Sequence, residues 1–172
     1  MSPSVVRARP LTVEGFAPWG DVVSAGLRAG SAANQGTAVR FDRCARLTST
    51  RPGAAPNLAV FRSAPQPLPL TIKLLERHPC STQAFLPMRC ARFLVIVAPA
   101  RPDGAPDTGL LEAFVCGPGQ GINYHPGVWH HPIVALDAPA DFAMLAWEDG
   151  GADDCLEHPL DEPLIVDVHP EG

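Results

Sequence analysis

The stretch that decides the fold reads LTIKLLERH and spans residues 70–78. Side chains alternate between the two faces of a β-strand, so a strand here places a carboxylate and an imidazole in line with apolar residues. A charge enclosed among apolar side chains is costly without a partner. The pattern therefore predicts that Glu76 and His78 enter one enclosed space, where they meet each other, a metal or a substrate. The predicted face consists of Leu70, Ile72, Leu74, Glu76 and His78.

Short apolar runs flank this stretch and are separated by clusters of Pro, Gly and Asp. Many short strands with turns between them favour an all-β sandwich or barrel, and twenty prolines oppose long helices. A short helix is expected over residues 11–19 with Thr12 as its N-cap, and residues 28–37 are expected to form a loop. Strands are predicted over residues 21–24, 59–62, 70–78, 83–88, 92–98, 111–116, 130–136 and 141–147.

Length and composition predict one globular domain over residues 1–172. The formal net charge of −5 gives no electrostatic reason to expect nucleic acid or an anionic membrane as a partner. No apolar run approaches the roughly 18 residues that cross a bilayer, and the start lacks the apolar region of a signal peptide. Five cysteines without a C-x-x-C pair predict reduced, mostly buried thiols. We expect a cytoplasmic protein.

Two motifs resemble those of metal-binding cupins. The first pattern, H-x-H followed by three or four residues and E, corresponds to ERHPCSTQ, with Glu76 in place of the first His and Gln83 in place of the final Glu. The second, P-x-G-x-x-H, corresponds to PGVWH, shorter by one residue and ending at His130. Together they predict that Glu76, His78, Gln83 and His130 converge inside one barrel, either as ligands of a divalent transition metal or as a polar pocket without metal.

The stretch NYHPGVWHHP, residues 123–132, contains three of the six histidines. His125 precedes a proline at a turn and is a candidate acid or base at the mouth of the barrel. His131 should point away from His130, which favours a packing role. His158 and His169 lie in a polar tail and are expected to be solvated.

The stretches LPLTIKLLERHPCSTQAFLPM, residues 68–88, and GINYHPGVWHHP, residues 121–132, resemble the ureidoglycolate lyase family. PLTVEGFAPWGDVV near the start, Asn34-Gln35-Gly36, Arg40-Phe41 and Phe61-Arg62 extend the likeness over nearly the whole chain. It is weakest over residues 43–56 and after residue 155. The resemblance implies a cupin-type jelly-roll barrel, a homodimer, and an enzyme that splits ureidoglycolate into glyoxylate and urea. It also implies a divalent metal, with nickel as the candidate.

That reaction needs a base for the hydroxyl proton and an acid for the departing nitrogen. Our hypothesis is that His130 or Glu76 is the base and that His78 or His125 is the acid. An arginine would bind the substrate carboxylate through its planar fork. Arg77 should point away from Glu76 by strand alternation, which leaves Arg40 and Arg62 as alternatives. The candidate substrate-binding residues are Asn34, Arg40, Arg62, Arg77, Gln83 and Tyr124.

Three other activities compete with the lyase. A hydrolase acting on ureidoglycolate would release ammonia. A metal-dependent cupin dioxygenase would need a redox-active iron with His-rich ligands, which Glu76 and Gln83 fit poorly. A non-catalytic cupin would bind a small acid without turnover.

Overall fold

The computed structural model describes residues 5–168, which form fourteen strands, one α-helix and three short 3-10 turns. The all-β class predicted from the sequence is confirmed. The strands, numbered in chain order, are β1 (Val5–Pro10), β2 (Gly20–Val23), β3 (Ser31–Ala33), β4 (Ala38–Arg40), β5 (Ala55–Ser63), β6 (Leu70–Arg77), β7 (Gln83–Arg89), β8 (Arg92–Ala98), β9 (Glu112–Cys116), β10 (Gly121–Tyr124), β11 (Trp129–His130), β12 (Val134–Leu136), β13 (Ala140–Glu148) and β14 (Leu156–Val168).

The strands pair into a closed β-barrel and a facing sheet. One sheet runs in the order β11-β6-β14-β1-β9-β8-β12, and the additional pairing of β11 with β8 closes it on itself. A second sheet, in the order β2-β10-β7-β13-β5, lies against it, and β3 pairs with β4 as a separate hairpin. Most pairs are antiparallel, but β1 runs parallel to both β14 and β9.

Two hydrophobic cores lie on opposite faces of β8. Phe93, Val95 and Val97 belong to a core shared by both sheets. Leu94 and Ile96 belong to a second core whose residues come almost wholly from the closed sheet. Every side chain of β8 after Arg92 is buried, so both faces of the strand are covered. Such a two-sided strand reads as a continuous apolar run, which is why its bounds could be predicted without error.

The predicted face of β6 is wrong for the first half of the strand. Leu70, Ile72 and Leu75 all lie in the second core, so alternation is interrupted between Ile72 and Leu75. The register of β6 against β14 shifts at the same place, between Pro159 and Leu164 of β14. The extra residues of this irregularity lie in β14, where five residue steps oppose two of β6. Glu76 therefore lies on the face opposite to Leu70 and Ile72.

Several predicted elements have different bounds. The helix covers only Val13–Phe16, with Thr12 Oγ1 accepting a hydrogen bond from Gly15 N, because Pro18 has no N–H to continue the ladder. Residues 130–136 form two strands, since Pro132 interrupts the pairing.

The predicted loop over residues 28–37 contains β3 and a 3-10 turn. The prediction that His158 lies in a solvated tail is wrong. That segment forms β14, where His158 is half-buried and packs edge-on against Trp129. His169 lies outside the described residues.

None of the helices within residues 5–168 combines the length and the apolar character needed to cross a lipid bilayer. All five cysteines are free, as predicted. Cys116 is buried, but Cys155 is exposed, which contradicts the expectation of burial for that thiol.

Candidate metal and active site

Three side chains converge at the junction of β6 and β11. Glu76 lies near the end of β6, His78 directly follows that strand, and His130 lies on β11. His130 pairs across the sheet with Glu76 on one side and with Val97 on the other. Directly paired residues share a face, and Val97 belongs to the core between the two sheets, so Glu76, His130 and Val97 face the second sheet. One ligand atom from each of Glu76, His78 and His130 lies within 4.8 Å of the other two.

The imidazole of His130 has acceptors on both nitrogens. Its Nδ1 lies 2.9 Å from the carbonyl oxygen of Val128, which can only accept, so Nδ1 carries a proton and donates it. Its Nε2 lies 3.1 Å from Gln83 Oε1 and 3.6 Å from Glu76 Oε1. In the neutral imidazole, Nε2 has a free lone pair and can only accept a hydrogen bond. Rotating the Gln83 amide by half a turn exchanges its oxygen and nitrogen, and its NH₂ group would then donate to Nε2. His130 is only 2% exposed.

His78 is oriented in the same way. Its Nδ1 lies 2.6 Å from the carbonyl oxygen of Asp154 and donates a proton to it. Its Nε2 is buried, and no described residue forms a hydrogen bond with it. A buried nitrogen without a partner carries a desolvation cost, so a metal or ligand bound at Nε2 would be stabilising.

These residues fit a divalent transition metal. Both imidazoles donate Nδ1–H to a backbone carbonyl, an arrangement typical of histidine ligands because it directs the Nε2 lone pair toward the metal. Glu76 adds a carboxylate, and two imidazoles with one carboxylate suit a metal that keeps open positions for substrate. Gln83 contacts the cluster through His130. The convergence predicted from residue spacing is therefore present for Glu76, His78, Gln83 and His130.

The enclosed setting changes the acidity of two of these groups. Burial raises the pKa of Glu76, but the hydrogen bond and charge of His130 and the charge of His78 outweigh burial, so the pKa lies below its ordinary value. Burial and the neighbouring His130 lower the pKa of His78 against the opposing effect of the Asp154 carbonyl and Glu76. At neutral pH the site accordingly holds a carboxylate beside a neutral His78.

Tyr124 forms the wall behind His130. The two rings stack with centroids 4.0 Å apart and an interplanar angle of 11°. The phenol hydroxyl is buried, has no hydrogen-bond partner among the described residues, and has a pKa raised well above its ordinary value by burial. It is therefore a neutral hydroxyl that keeps its proton.

Sequence reasoning missed the turn between β13 and β14. Asp154 supplies the carbonyl that orients His78, and Cys155 Sγ lies 3.8 Å from Glu76 Oε2. Partial desolvation of the sulfur and then the negative charge of Glu76 raise the pKa of Cys155 to about 11, so the thiol keeps its proton and can donate it to Glu76. Arg51 binds this turn through Asp149 and Asp154. No motif marks Arg51, since it lies in residues 43–56 where the family likeness is weakest.

The other candidate residues lie apart from the cluster. Asn34 and Arg40 are exposed on the hairpin of β3 and β4, where Arg40 pairs with Asp42. Arg62 on β5 binds both carboxylate oxygens of Asp141, and its side chain is 78% exposed.

Arg77 lies on the far face of β6, as alternation predicts, with its guanidinium 4.5 Å from the centre of the Trp129 ring. His125 lines a separate cavity of about 200 Å³ together with Asp21 and Arg28. His125 does not belong to the group of potential ligands formed by Glu76, His78 and His130.

Comparison with known proteins adds independent findings. A family model described as ureidoglycolate lyase matches residues 3–167. A protein named ureidoglycolate lyase from Pseudomonas syringae pv. tomato is 39% identical over 164 residues, covering 94% of this chain and 95% of that protein. Another of the same name from Pseudomonas savastanoi pv. phaseolicola is 40% identical over 163 residues, covering 94% of each chain.

Among solved structures, a dTDP sugar isomerase from Desulfovibrio desulfuricans aligns with a TM-score of 0.48 and 18% identity over 83% of each chain. That similarity is too low to support a conclusion about chemistry.

Proposed function

The chain belongs to the ureidoglycolate lyase family, and on that basis we propose that it cleaves ureidoglycolate into glyoxylate and urea. The observation that carries the proposal is the convergence of Glu76, His78 and His130 in one cluster in which both histidines are buried. This cluster contains a carboxylate that stays ionised and imidazole nitrogens directed at a common point, which is what a proton-transfer elimination requires.

In this reaction the substrate hydroxyl loses its proton, and the O–H electron pair forms the new C=O bond of glyoxylate. The C–N bond breaks, its electron pair remains on nitrogen, and that nitrogen takes up a proton to complete urea. One proton leaves oxygen and one arrives at nitrogen, so a single protein group can serve both steps.

We assign that role to Glu76. Its lowered pKa keeps it a carboxylate that can accept the hydroxyl proton, and its Oε1 lies 3.6 Å from His130 Nε2 within the cluster. Once protonated, Glu76 can return the proton to the departing nitrogen on the same side of the substrate. General acid–base help of this kind contributes about 10²–10⁴-fold to the rate.

We assign His78 and His130 to orientation and ligand binding. The Nδ1 proton of each is already donated to a backbone carbonyl, and the lowered pKa of His78 disfavours a second proton on Nε2. His78 is therefore a poor acid for the leaving nitrogen. His125 remains the alternative acid, and its place in the wall of a separate cavity makes it the weaker candidate.

A divalent metal, with nickel as the family-based candidate, would be held by Glu76, His78 and His130, with Gln83 beside His130. When bound, a metal of this class lowers the pKa of a coordinated oxygen and polarises a carbonyl. Gln83 and the hydroxyl of Tyr124 are then placed to bind the substrate's polar groups.

For the substrate carboxylate we keep Arg40 and Arg62 as candidates, although each already pairs with an aspartate. Asn34 remains a candidate for the ureido group, and Arg77 becomes the least favoured candidate because Trp129 covers it.

We further propose a single domain of the cupin jelly-roll type that works as a cytoplasmic homodimer. Support for pairing comes from the outer face of the second sheet, where Leu58, Val60, Leu86 and Met88 are exposed beside the edge of β5 that pairs with no other strand within residues 5–168. An apolar face next to an unpaired strand edge is stabilised when another chain covers it. Five free thiols suit a reducing compartment.

The decisive experiment incubates the purified protein with ureidoglycolate and assays urea, glyoxylate and ammonia separately. Urea and glyoxylate in equal amounts support the lyase, whereas ammonia indicates hydrolysis, oxygen uptake with ferrous iron indicates a dioxygenase, and binding without turnover indicates a small-acid-binding protein. His130→Ala should lower activity by at least about 10²-fold. The matched control is Arg92→Ala, which disrupts an exposed arginine–aspartate pair on β8 away from the cluster.

A further inference from the structure

The turn between β13 and β14 contacts two of the three clustered residues. Asp154 accepts the Nδ1 proton of His78 at 2.6 Å through its carbonyl oxygen. The next residue, Cys155, places its thiol 3.8 Å from Glu76 Oε2. The position of this one turn therefore determines how His78 and Glu76 are oriented.

Arg51 holds that turn from a distant part of the chain. Its Nη1 lies 2.5 Å from Asp149 Oδ1 and its Nη2 lies 2.8 Å from Asp154 Oδ1, so the two arms of the guanidinium join the two ends of the turn. The Arg51 side chain is 23% exposed and that of Asp154 is 16% exposed, which protects the pair from full solvent screening.

The carboxylate of Asp154 also organises the backbone of the turn. It accepts hydrogen bonds from Asp149 N at 3.2 Å and from Gly150 N at 2.7 Å. The turn is strongly acidic, since Glu148, Asp149, Asp153 and Asp154 lie within seven residues. Without a cation these carboxylates would repel one another, and Arg51 supplies the positive charge that allows them to pack together.

We propose that Arg51 is a positioning residue for the active site: by joining Asp149 to Asp154 it fixes the carbonyl that holds His78 as the Nδ1–H tautomer. The Nε2 lone pair of His78 then faces Glu76 and His130. The effect of Arg51 on the orientation of His78 does not depend on which reaction the protein catalyses. The effect of Arg51 on catalysis rests on the proposed function.

The planar fork of arginine is required for this role. Two separate carboxylates are bridged by the two arms of one guanidinium, whereas a lysine ammonium is a single point charge on a flexible stem. Arg51→Lys should therefore recover the charge but only part of the geometry. Partial rescue by lysine distinguishes a positioning role from simple charge neutralisation.

The direct test is nitrogen-15 NMR of the histidine rings in metal-free protein at about pH 8, above the ordinary histidine pKa. In the natural protein His78 should give the signature of a pure Nδ1–H tautomer. Arg51→Ala should give a mixture of tautomers or a dominant Nε2–H form, Arg51→Lys an intermediate result, and the control Arg92→Ala no change.

A second readout is nickel binding by titration calorimetry. Loss of an outer partner of a ligating histidine weakens metal binding by about 10–100-fold, so Arg51→Ala should fall in that range. In turnover, kcat should fall more than KM rises. If Arg51→Ala does not fold, Asp154→Asn, which keeps the carbonyl but removes the charge, should produce the same change of tautomer.

An unchanged His78 tautomer in folded Arg51→Ala, together with nickel affinity within about twofold of the natural protein, would overturn the proposal. Failure of the proposed function would look different. The natural protein would then release no urea from ureidoglycolate, while the NMR signature of His78 would still respond to Arg51.

Discussion

The ring of Tyr124 lies flat against the imidazole of His130, with centroids 4.0 Å apart. The Val128 carbonyl accepts the Nδ1 proton of that imidazole, and Gln83 contacts its Nε2. Stacking on one face and polar contacts at both nitrogens leave the ring no freedom to rotate. His130 is therefore set in place before any substrate or metal arrives, which reduces the cost of organising the site on binding.

Replacing Tyr124 with phenylalanine separates the ring from its hydroxyl. Because the buried hydroxyl has no hydrogen-bond partner among the described residues, its removal should leave the free energy of unfolding unchanged or raise it by about 1–3 kcal/mol. If the hydroxyl binds substrate, KM should rise by about tenfold, equal to about 1.4 kcal/mol. Steady-state kinetics and urea denaturation measure the two effects, and an unchanged KM would remove Tyr124 from substrate binding.

Glu76→Gln tests the proposed base. The amide keeps the shape of the side chain but cannot accept the hydroxyl proton, so kcat should fall by at least about 10²-fold. Activity is measured as urea release, with the metal content of each preparation determined in parallel to separate lost chemistry from lost metal. Glu112→Gln is a matched control, because it alters an exposed pair with Arg9 that contributes little. Near-normal kcat in the Glu76 variant would rule out this assignment.

Gln83→Glu should strengthen metal binding. The new carboxylate would sit where the Gln83 amide now lies, 3.1 Å from His130 Nε2, and carboxylates are better ligands than amides for divalent metals. We expect nickel affinity to rise by about tenfold or more, with lower stability of the metal-free protein because a buried charge is added. Calorimetric titration measures the affinity. Gln83→Leu serves as the comparison, and equal affinities in the two variants would show that residue 83 does not reach the metal.

Acid should destabilise the metal-free protein. Burial is the main cause that lowers the pKa of His78 and of His131, so both bind protons more weakly when folded than when unfolded. Their contribution to stability is complete above the unfolded pKa of about 6.5 and is lost as the pH falls through the folded values. Glu76, whose pKa is also lowered on balance, adds a similar loss at pH values below its unfolded pKa of about 4.3.

Thermal unfolding measured from about pH 8 to pH 5 should therefore show a Tm that is level at first and falls below about pH 6.5. The double variant His78→Gln and His131→Gln should show a shallower fall over the same range. A Tm in the natural protein that does not depend on pH between about 6.5 and 5 would contradict the prediction.

Local patterns in the sequence determined the fold class and the core of the site. The apolar run of β8 was predicted with its observed bounds because its signal is contained in consecutive residues. Glu76 and His78 converge because they are two positions apart at the end of a strand, and His130 joins them through pairing with Glu76. Spacing within a strand is a local property, so it can be read without the rest of the chain.

Only the tertiary structure decided what surrounds that core. The interruption of β6 lies where its register against β14 shifts, and β14 is about 80 residues away along the chain. The polar, proline-rich sequence of β14 did not predict a strand. The contacts of Arg51 with Asp149 and Asp154 likewise join residues about 100 positions apart. Pairing registers and ion pairs at such separations depend on which surfaces meet after folding, and no periodicity along the chain encodes them.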